Sequence, residues 1–416
     1  MYLMSESAEI EPIRLGTFRS LRHRNYRLFF ISSTVTNIGT WVQRIAQDWL
    51  VLQLTHSGID LGFVTGLQFL PALFLSLQGG AIADRFNKRK VLIFTNIAGG
   101  LFAFILGILA ITGTVQRWHV YLLAFLLGIA SAIDAPVRQS FVADLVGRAD
   151  LPNAVSLNSA NFNVGRLIGP ALSGLLITAF GTGPSFLINC ASFFVIIGAL
   201  LMMNTEDLIR HKVHDRDKVT IADGIRYVRA RTDLKAVIFV VGLMATFGLN
   251  FQLTTALMAT RVFHLGAAAF GVLSAAVALG SLTGALVAAR FERKPTATLV
   301  LRSALIFGVL ETIASLMPTF LTFALILPLC GAMILTTLIT ANSTMQLRST
   351  PENRGRVMGI YLTIFLGGAP IGSPVVGWIG QTIGPRFAIA TGGVISILAA
   401  LVAIIVTRGK LEVNDH

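Results

Sequence analysis

Residues Gly80 to Lys90 read GAIADRFNKRK, one carboxylate (Asp84) followed by Arg85, Lys88, Arg89 and Lys90. The stretch sits between two apolar runs, each long enough to cross a bilayer. Working outward, the 416 residues are 54% hydrophobic and 13% charged, about half the charged share of a soluble domain. A spanning helix needs about 20 apolar residues, and the charge-free stretches 236–260, 312–347 and 357–385 reach or exceed that length. The pattern predicts an all-α integral membrane protein with twelve transmembrane helices, over 26–52, 58–83, 91–113, 118–140, 153–180, 184–204, 235–261, 267–289, 297–317, 319–346, 356–383 and 386–407. Met1 to Asn25 is polar and lacks an apolar core, so no cleavable leader is expected and the first span should serve as its own insertion signal.

The net charge of +13 is distributed by loop. Lys and Arg gather in alternate connections, from Arg14 to Arg24, Arg85 to Lys90, Arg210 to Arg231 and beyond, while the other side offers only Arg117, Arg261 and Arg386. That alternation argues against a nucleic-acid partner. By the bias of positive loops toward the cytosol, both termini and the Asp84 loop are expected on the cytoplasmic side of the cell membrane. Cys190 and Cys330 fall inside spans and read as small apolar residues. The phosphate-binding pattern GxxxxGK[ST] is absent, since Gly409-Lys410 is followed by Leu411, and no catalytic constellation is present. The chain therefore reads as a carrier and not an enzyme, with no cofactor or metal, a small-molecule cargo, the lipid bilayer as its surroundings and a monomeric state.

Glycines repeat along the chain. Gly39 and Gly62 recur as Gly248 and Gly271 at an offset of 209, and Gly80 recurs as Gly284 at 204. Gly128, Gly165, Gly169 and Gly174 recur as Gly331, Gly368, Gly372 and Gly377 at 203, with Pro170 and Pro374 nearby in each copy. Six spans thus form one unit and the chain holds two, a parallel repeat whose halves flank a central cavity. The expected organisation is a cytoplasmic segment 1–25, a bundle 26–204, a linker 205–234, a second bundle 235–407 and a cytoplasmic tail 408–416. Ile221, Ile225 and Val228 in the linker have the spacing of a short surface helix, or are ordinary linker residues. The matched glycines point to the fifth and eleventh spans being bent and closely apposed at equivalent places, beyond the ordinary role of small residues in helix packing.

Ionisable side chains inside spans cost about 2.5–3.5 kcal/mol each on insertion scales, so each is a functional candidate. The first unit carries Arg44, Asp48, Asp134, Arg138 and Arg166, and the repeat replaces them by Leu253, Leu257, Thr337, Ala341 and Ala369. The second unit keeps Glu311 alone. Ion coupling is therefore expected of Asp48, Arg44, Glu311 and Asp134. Arg44 and Asp48, four apart on one helix face, are expected to pair, either as a structural clasp or as a proton site. Asp134 has Arg138 as its partner by the same spacing. For Glu311 a hydrogen-bonded neutral acid and a proton carrier both stay open. All seven histidines fall in loops, span ends or tails, so carboxylates would have to carry any coupled proton. Gating is assigned to Gly80, Asp84, Arg85, Lys88, Arg89 and Arg138. Asp84, replaced by Ala288 in the repeat, could latch onto the N-terminus of the eleventh span, where a carboxylate gains about 0.3–1 kcal/mol. Asn161, Asn163, Asn250 and Gln252 are the candidate polar residues of the cavity.

GAIADRFNKRK resembles the loop between the second and third helices of major facilitator superfamily transporters, with Asn87 where glycine is usual. RLIGPALSG, holding Arg166, Gly169, Pro170 and Gly174 and preceded by Gly165, is similar to the fifth-helix motif of exporters that exchange cargo for protons; Ser173 and Ser156 stand where glycines are common. GTWVQRIAQDWLVLQLT and DAPVRQSFVADLVGRADLPNAVSLNS resemble the branch that includes enterobactin exporters and macrolide efflux proteins. The resemblance implies export of an amphipathic organic molecule from the cytosol in exchange for protons. A passive or importing carrier is the alternative, and a non-transporting receptor or scaffold a third reading that polar residues in the cavity would disfavour.

Overall fold

The computed structural model describes residues 16–209, 221–290 and 295–407. The spans are α1 (Arg24–Thr55), α2 (Gly58–Arg85) and α3 (Lys88–Ile111), then α4 (Arg117–Gly147) and α5 (Ala149–Phe180), and α6 (Gly183–Met202). A linker helix (Ile221–Ala230) leads to α7 (Thr232–Val262). The second unit continues with α8 (Ala267–Arg290), α9 (Ala297–Ser315), α10 (Phe320–Leu347), α11 (Pro351–Thr382) and α12 (Pro385–Thr407). No strand occurs among the described residues.

Eleven of these helices are long and apolar enough to cross a membrane. The twelfth, α1, is long enough at 32 residues but too polar in composition. Its polar side chains are kept from lipid by the neighbouring helices: Gln43, Gln47 and Asp48 are each under 5% exposed. Large apolar side chains such as Phe94 and Phe180, both over 70% exposed, stand on the outer surface instead, the arrangement expected of a bundle whose solvent is hydrocarbon.

Local chemistry sets the helix ends. Asn87, the departure from the usual glycine, caps α3 by accepting a hydrogen bond from the Lys90 amide at 3.1 Å, a role asparagine fills well at a helix start. Ser57 caps α2 through the Asp60 amide, Thr296 caps α9 through the Leu299 amide, and α11 opens on Pro351. Between α4 and α5 the chain barely leaves helix. Gly147 adopts φ 72°, ψ 177°, a left-handed conformation that glycine adopts at least cost. The predicted ends of the fourth and fifth spans, 140 and 153, lie inside these helices, because hydropathy stops at the membrane edge whereas helical hydrogen bonding continues through Asp144 and Asp150.

The seventh span departs most from expectation. The continuous helix predicted for 235–261 is broken: a π-helical turn at Met244–Gly248 runs into Leu249 and Asn250, then Phe251–Leu257 resumes and a second π turn, Met258–Val262, closes it. Such turns cluster at functional places in helices. Asn250 absorbs the break, its Nδ2 donating to the Thr246 carbonyl at 2.8 Å and its Oδ1 accepting from Ser373 Oγ at 2.8 Å.

The helices form two units of like orientation. The matched glycines lie in the contacts that build and join them. Within the first unit Gly165 and Gly169 of α5 press on Asn37, Ile38 and Trp41 of α1, and in the second their mates Gly368 and Gly372 of α11 press on Ala245 and Thr246 of α7. Between units, Gly174 of α5 meets Gly271 of α8, and Gly377 of α11 meets Gly62 of α2. The fifth and eleventh helices are therefore not apposed to one another; each packs on its own unit's first helix and on the opposite unit's second. The linker helix rests on α11, with Gly224 against Arg356 and the Tyr227 hydroxyl accepting from the Thr350 amide.

Candidate functional site

Between the units lies a cavity of about 310 Å³, within the range that holds small organic ligands. Trp41, Arg44 and Ile45 of α1, Thr65 and Phe69 of α2, and Arg166 and Pro170 of α5 form one wall. The other comes from α7 at and after its break (Leu249 to Leu253 and Thr255), with Ser274 and Val277 of α8, Ile334 and Leu338 of α10, and Phe365, Leu366, Ala369 and Ser373 of α11. Of the four polar candidates, Asn250 and Gln252 line this cavity. Asn161 instead donates to the Phe30 carbonyl and accepts from Asn37, and Asn163 bonds the Ser159 carbonyl one turn back along α5; neither is part of the lining.

The face at which the chain enters α1 and leaves α12 is termed the terminal face, and the opposite one the far face. Toward the far face the cavity is sealed. A methyl on Gly62 would overlap the Ser373 carbonyl oxygen, and one on Gly174 would stand 2.9 Å from the Ala267 carbonyl oxygen, so α2 meets α11 and α5 meets α8 backbone to backbone. The Gly58 amide donates to Gln381 Oε1 at 2.7 Å, and Arg261 ties the His56 carbonyl to the same Gln381.

Arg44 and Asp48 do not form the expected ion pair. Asp48 accepts a hydrogen bond from Gln252 Nε2 at 2.6 Å, a bond between units. Arg44 turns the other way, its guanidinium carbon 5.0 Å from the centre of the Trp41 ring and 5.3 Å from that of Phe69, contacts of cation–π type. Four residues apart on a helix permits a pair without compelling one when another donor reaches the acid from the opposite unit and aromatic rings hold the cation. Trp41, three residues before Arg44, was the readable signal for this ring contact.

Asp134 sits in a closed network of its own unit. It accepts from Arg138 Nε at 2.6 Å, Thr95 Oγ1 at 2.8 Å and Asn96 Nδ2 at 3.1 Å, while Arg138 lies over Phe29 and reaches Ser33. Glu311 of α9 is 3% exposed, packed against Gly248 of the π turn and Gly392 of α12, and its Oε2 has no hydrogen-bond partner among the described residues. It lies outside the cavity lining. Where α2 passes into α3, Lys88 pairs with Asp144 at 2.8 Å, Arg89 bonds the Leu200 and Leu201 carbonyls, and Arg85 is exposed. Gly80 and Asp84 belong to the last turns of α2, and their side-chain environment lies outside the described residues.

Sequence reasoning missed one cluster. Asp150 at the start of α5 is paired with Arg19 at 2.5 Å, Arg22 at 2.9 Å and His23 at 2.7 Å, binding the segment before α1 to the unit's terminal face. The cationic run Arg19 to Arg24 and the lone acid of GRAD were visible, but nothing in their spacing joined them. Among the described residues no group of His, Cys, Asp and Glu is arranged to hold a metal ion.

Comparison with known families places this architecture. The family described as transmembrane secretion effector matches residues 15–416. The chain belongs to that family. The chain is accordingly a secondary transporter of the major facilitator type, a carrier and not an enzyme. It is 27% identical to the staphyloferrin A transporter of Staphylococcus aureus over 63% of this chain and 66% of that one. With the multidrug efflux pump Tap of Mycolicibacterium fortuitum it shares 25% identity over 92% of this chain and 95% of that one. The enterobactin exporter EntS of Salmonella typhimurium is 22% identical over 92% of each. In fold it is similar to a bacterial homolog of the lysosomal transporter Spinster solved inward-facing and unoccupied, with a TM-score of 0.72 at 16% identity, covering 93% of this chain and 97% of that one.

Proposed function

We propose that this transporter exports an amphipathic organic molecule from the cytosol by alternating access, in exchange for protons. The supporting observation is the central cavity, walled by both units and closed at one end by contacts between them. With the terminal face cytoplasmic, as the loop charges favour, this conformation is shut toward the outside. Relatives named as exporters and efflux pumps support the outward direction.

Asp48 is the proposed coupling acid. It is buried in the outer part of α1, and its one hydrogen-bond donor among the described residues, Gln252, comes from the other unit. Parting the units at the far face breaks that bond and admits a proton from outside; closing them remakes it. Glu311 is a second candidate, since its unpartnered oxygen lies beside the π turn of α7 and a proton there would alter how that turn packs. The retained polar lining of Asn250, Gln252, Arg44 and Arg166 supports a transported cargo over a receptor or scaffold without one.

The test is growth of an expressing strain across a panel of toxic amphiphiles, with and without an uncoupler, joined to cargo-driven proton release in liposomes for wild type, Asp48→Asn and Glu311→Gln. Protection abolished by the uncoupler and proton release reduced about tenfold or more in Asp48→Asn are expected. Protection indifferent to the uncoupler would indicate a passive carrier, and full proton release in both variants would remove the acids from the coupling path.

A further inference from the structure

The cavity holds two arginines and no acid. Arg44 of α1 and Arg166 of α5 both line it, Arg166 within the influence of Arg44's charge, and among the described residues no carboxylate belongs to the lining. The acid nearest in sequence, Asp48, acts on Arg44 from outside the lining and makes its hydrogen bond with Gln252 rather than with either arginine. Arg44 Nε is buried with no hydrogen-bond partner among the described residues, and the rings of Trp41 and Phe69 cover its guanidinium without supplying a negative charge. The repeat has Leu253 and Ala369 at the equivalent positions, so the pair exists on one side of the cavity only.

Two cations facing a mostly apolar void are costly to keep, because each has lost part of its water and repels the other. Arginine does not escape by shedding its proton. The arrangement is relieved when an oxyanion enters and accepts hydrogen bonds from both guanidinium groups, whose planar donor forks match carboxylate, sulfonate and phosphate oxygens. We propose that Arg44 and Arg166 form an anion-binding subsite of the cargo cavity. Resting on the transport function proposed above, this makes the cargo a molecule with at least one oxyanion group beside an apolar body. Trp41, Phe69, Leu338 and Phe365 supply the surface against which that body packs.

Two probes of one shape separate charge from greasiness: anilinonaphthalene sulfonate, and phenylnaphthylamine, which keeps the aromatic body and lacks the sulfonate. Each is titrated into the purified protein in phosphatidylcholine nanodiscs, with empty discs subtracted. Wild type is expected to bind the sulfonate about tenfold or more tightly than the neutral probe. Arg44→Gln and Arg166→Gln should each weaken sulfonate binding about tenfold while neutral-probe binding stays within about twofold, and Arg166→Lys should retain most of it. Equal affinity of wild type for the two probes overturns the subsite and requires no variant to fold. So does an equal loss of both probes in the variants. Abolition of sulfonate binding in discs containing phosphatidylglycerol would assign the arginines to a lipid headgroup and overturn the cargo assignment. Probe efflux from liposomes keeps the two proposals distinguishable: export without preference for the sulfonate sinks the subsite and leaves transport standing, whereas selective binding with no export of either probe does the reverse.

Discussion

At the scale of single residues, what the sequence disclosed was position and what it withheld was partnership. Arg44, Asp48, Asp134 and Glu311 stood out because charge inside an apolar run is expensive, and the three acids proved buried or locked in a network. That Asp48 would be served by Gln252, 204 residues away, could not be read, because an amide donor has many candidate acceptors and only the folded interface selects one. Asn250 carries the same lesson. It was marked as a polar cavity residue, yet its amide also donates to the Thr246 carbonyl beside the break in α7 while its oxygen accepts from Ser373. Asn250→Ala should remove both services, leaving buried groups unpaired at about 1–3 kcal/mol each. A clearly lowered unfolding temperature in detergent is the expected outcome. An unchanged one would mean that water or a shifted backbone already replaces the side chain.

Among elements, the spans were legible because hydropathy registers length, and the repeat was legible because backbone contact admits only glycine. The glycine register even held the contacts between units: the Gly62–Gly377 contact is the repeat counterpart of the Gly271–Gly174 contact. What could not be read was the pairing, since a matched glycine says that a helix comes close without saying which helix. The break in α7 was hidden for a different reason. Its residues are apolar enough to span, and the first π turn packs closely on Gly368 and Gly372 of α11 through Ala245 and Thr246, contacts that no local pattern announces. If the glycine contacts seal the far face, valine there should prise it open. Overpacking of about 1–3 kcal/mol in Gly62→Val or Gly271→Val corresponds to about a 5- to 150-fold shift away from the sealed form. A cysteine placed at Thr65, in the cavity wall, should then react faster with an impermeant maleimide added outside whole cells. Equal rates in the wild-type and valine backgrounds would show that the glycines do not hold the seal.

For the whole molecule, the energetics of the proposed cycle are sufficient. One proton moving inward is worth about 2.3 kcal/mol per 100 mV, and each pH unit adds about 1.4 kcal/mol. Together these can hold a cargo gradient of about a hundredfold or more. An anionic cargo leaving a negative interior would be helped by the same potential. The division of labour is asymmetric: the first unit brings the arginines and Asp48, the second brings the broken helix and the amide that reaches across. Such a machine works only if the two units rock as bodies about the cavity. The native cysteines are buried, so spin labels can be set on the surface without interference, one pair at Thr114 and Leu316 on the far face and another at Lys90 and Gly355 on the terminal face. Distances measured across both pairs, with cargo and with an imposed proton gradient, test the claim directly. The far-face distances should lengthen as the terminal-face distances shorten, in one reciprocal exchange of populations. Transport that proceeds with both sets unchanged, or with both moving in the same sense, would contradict it.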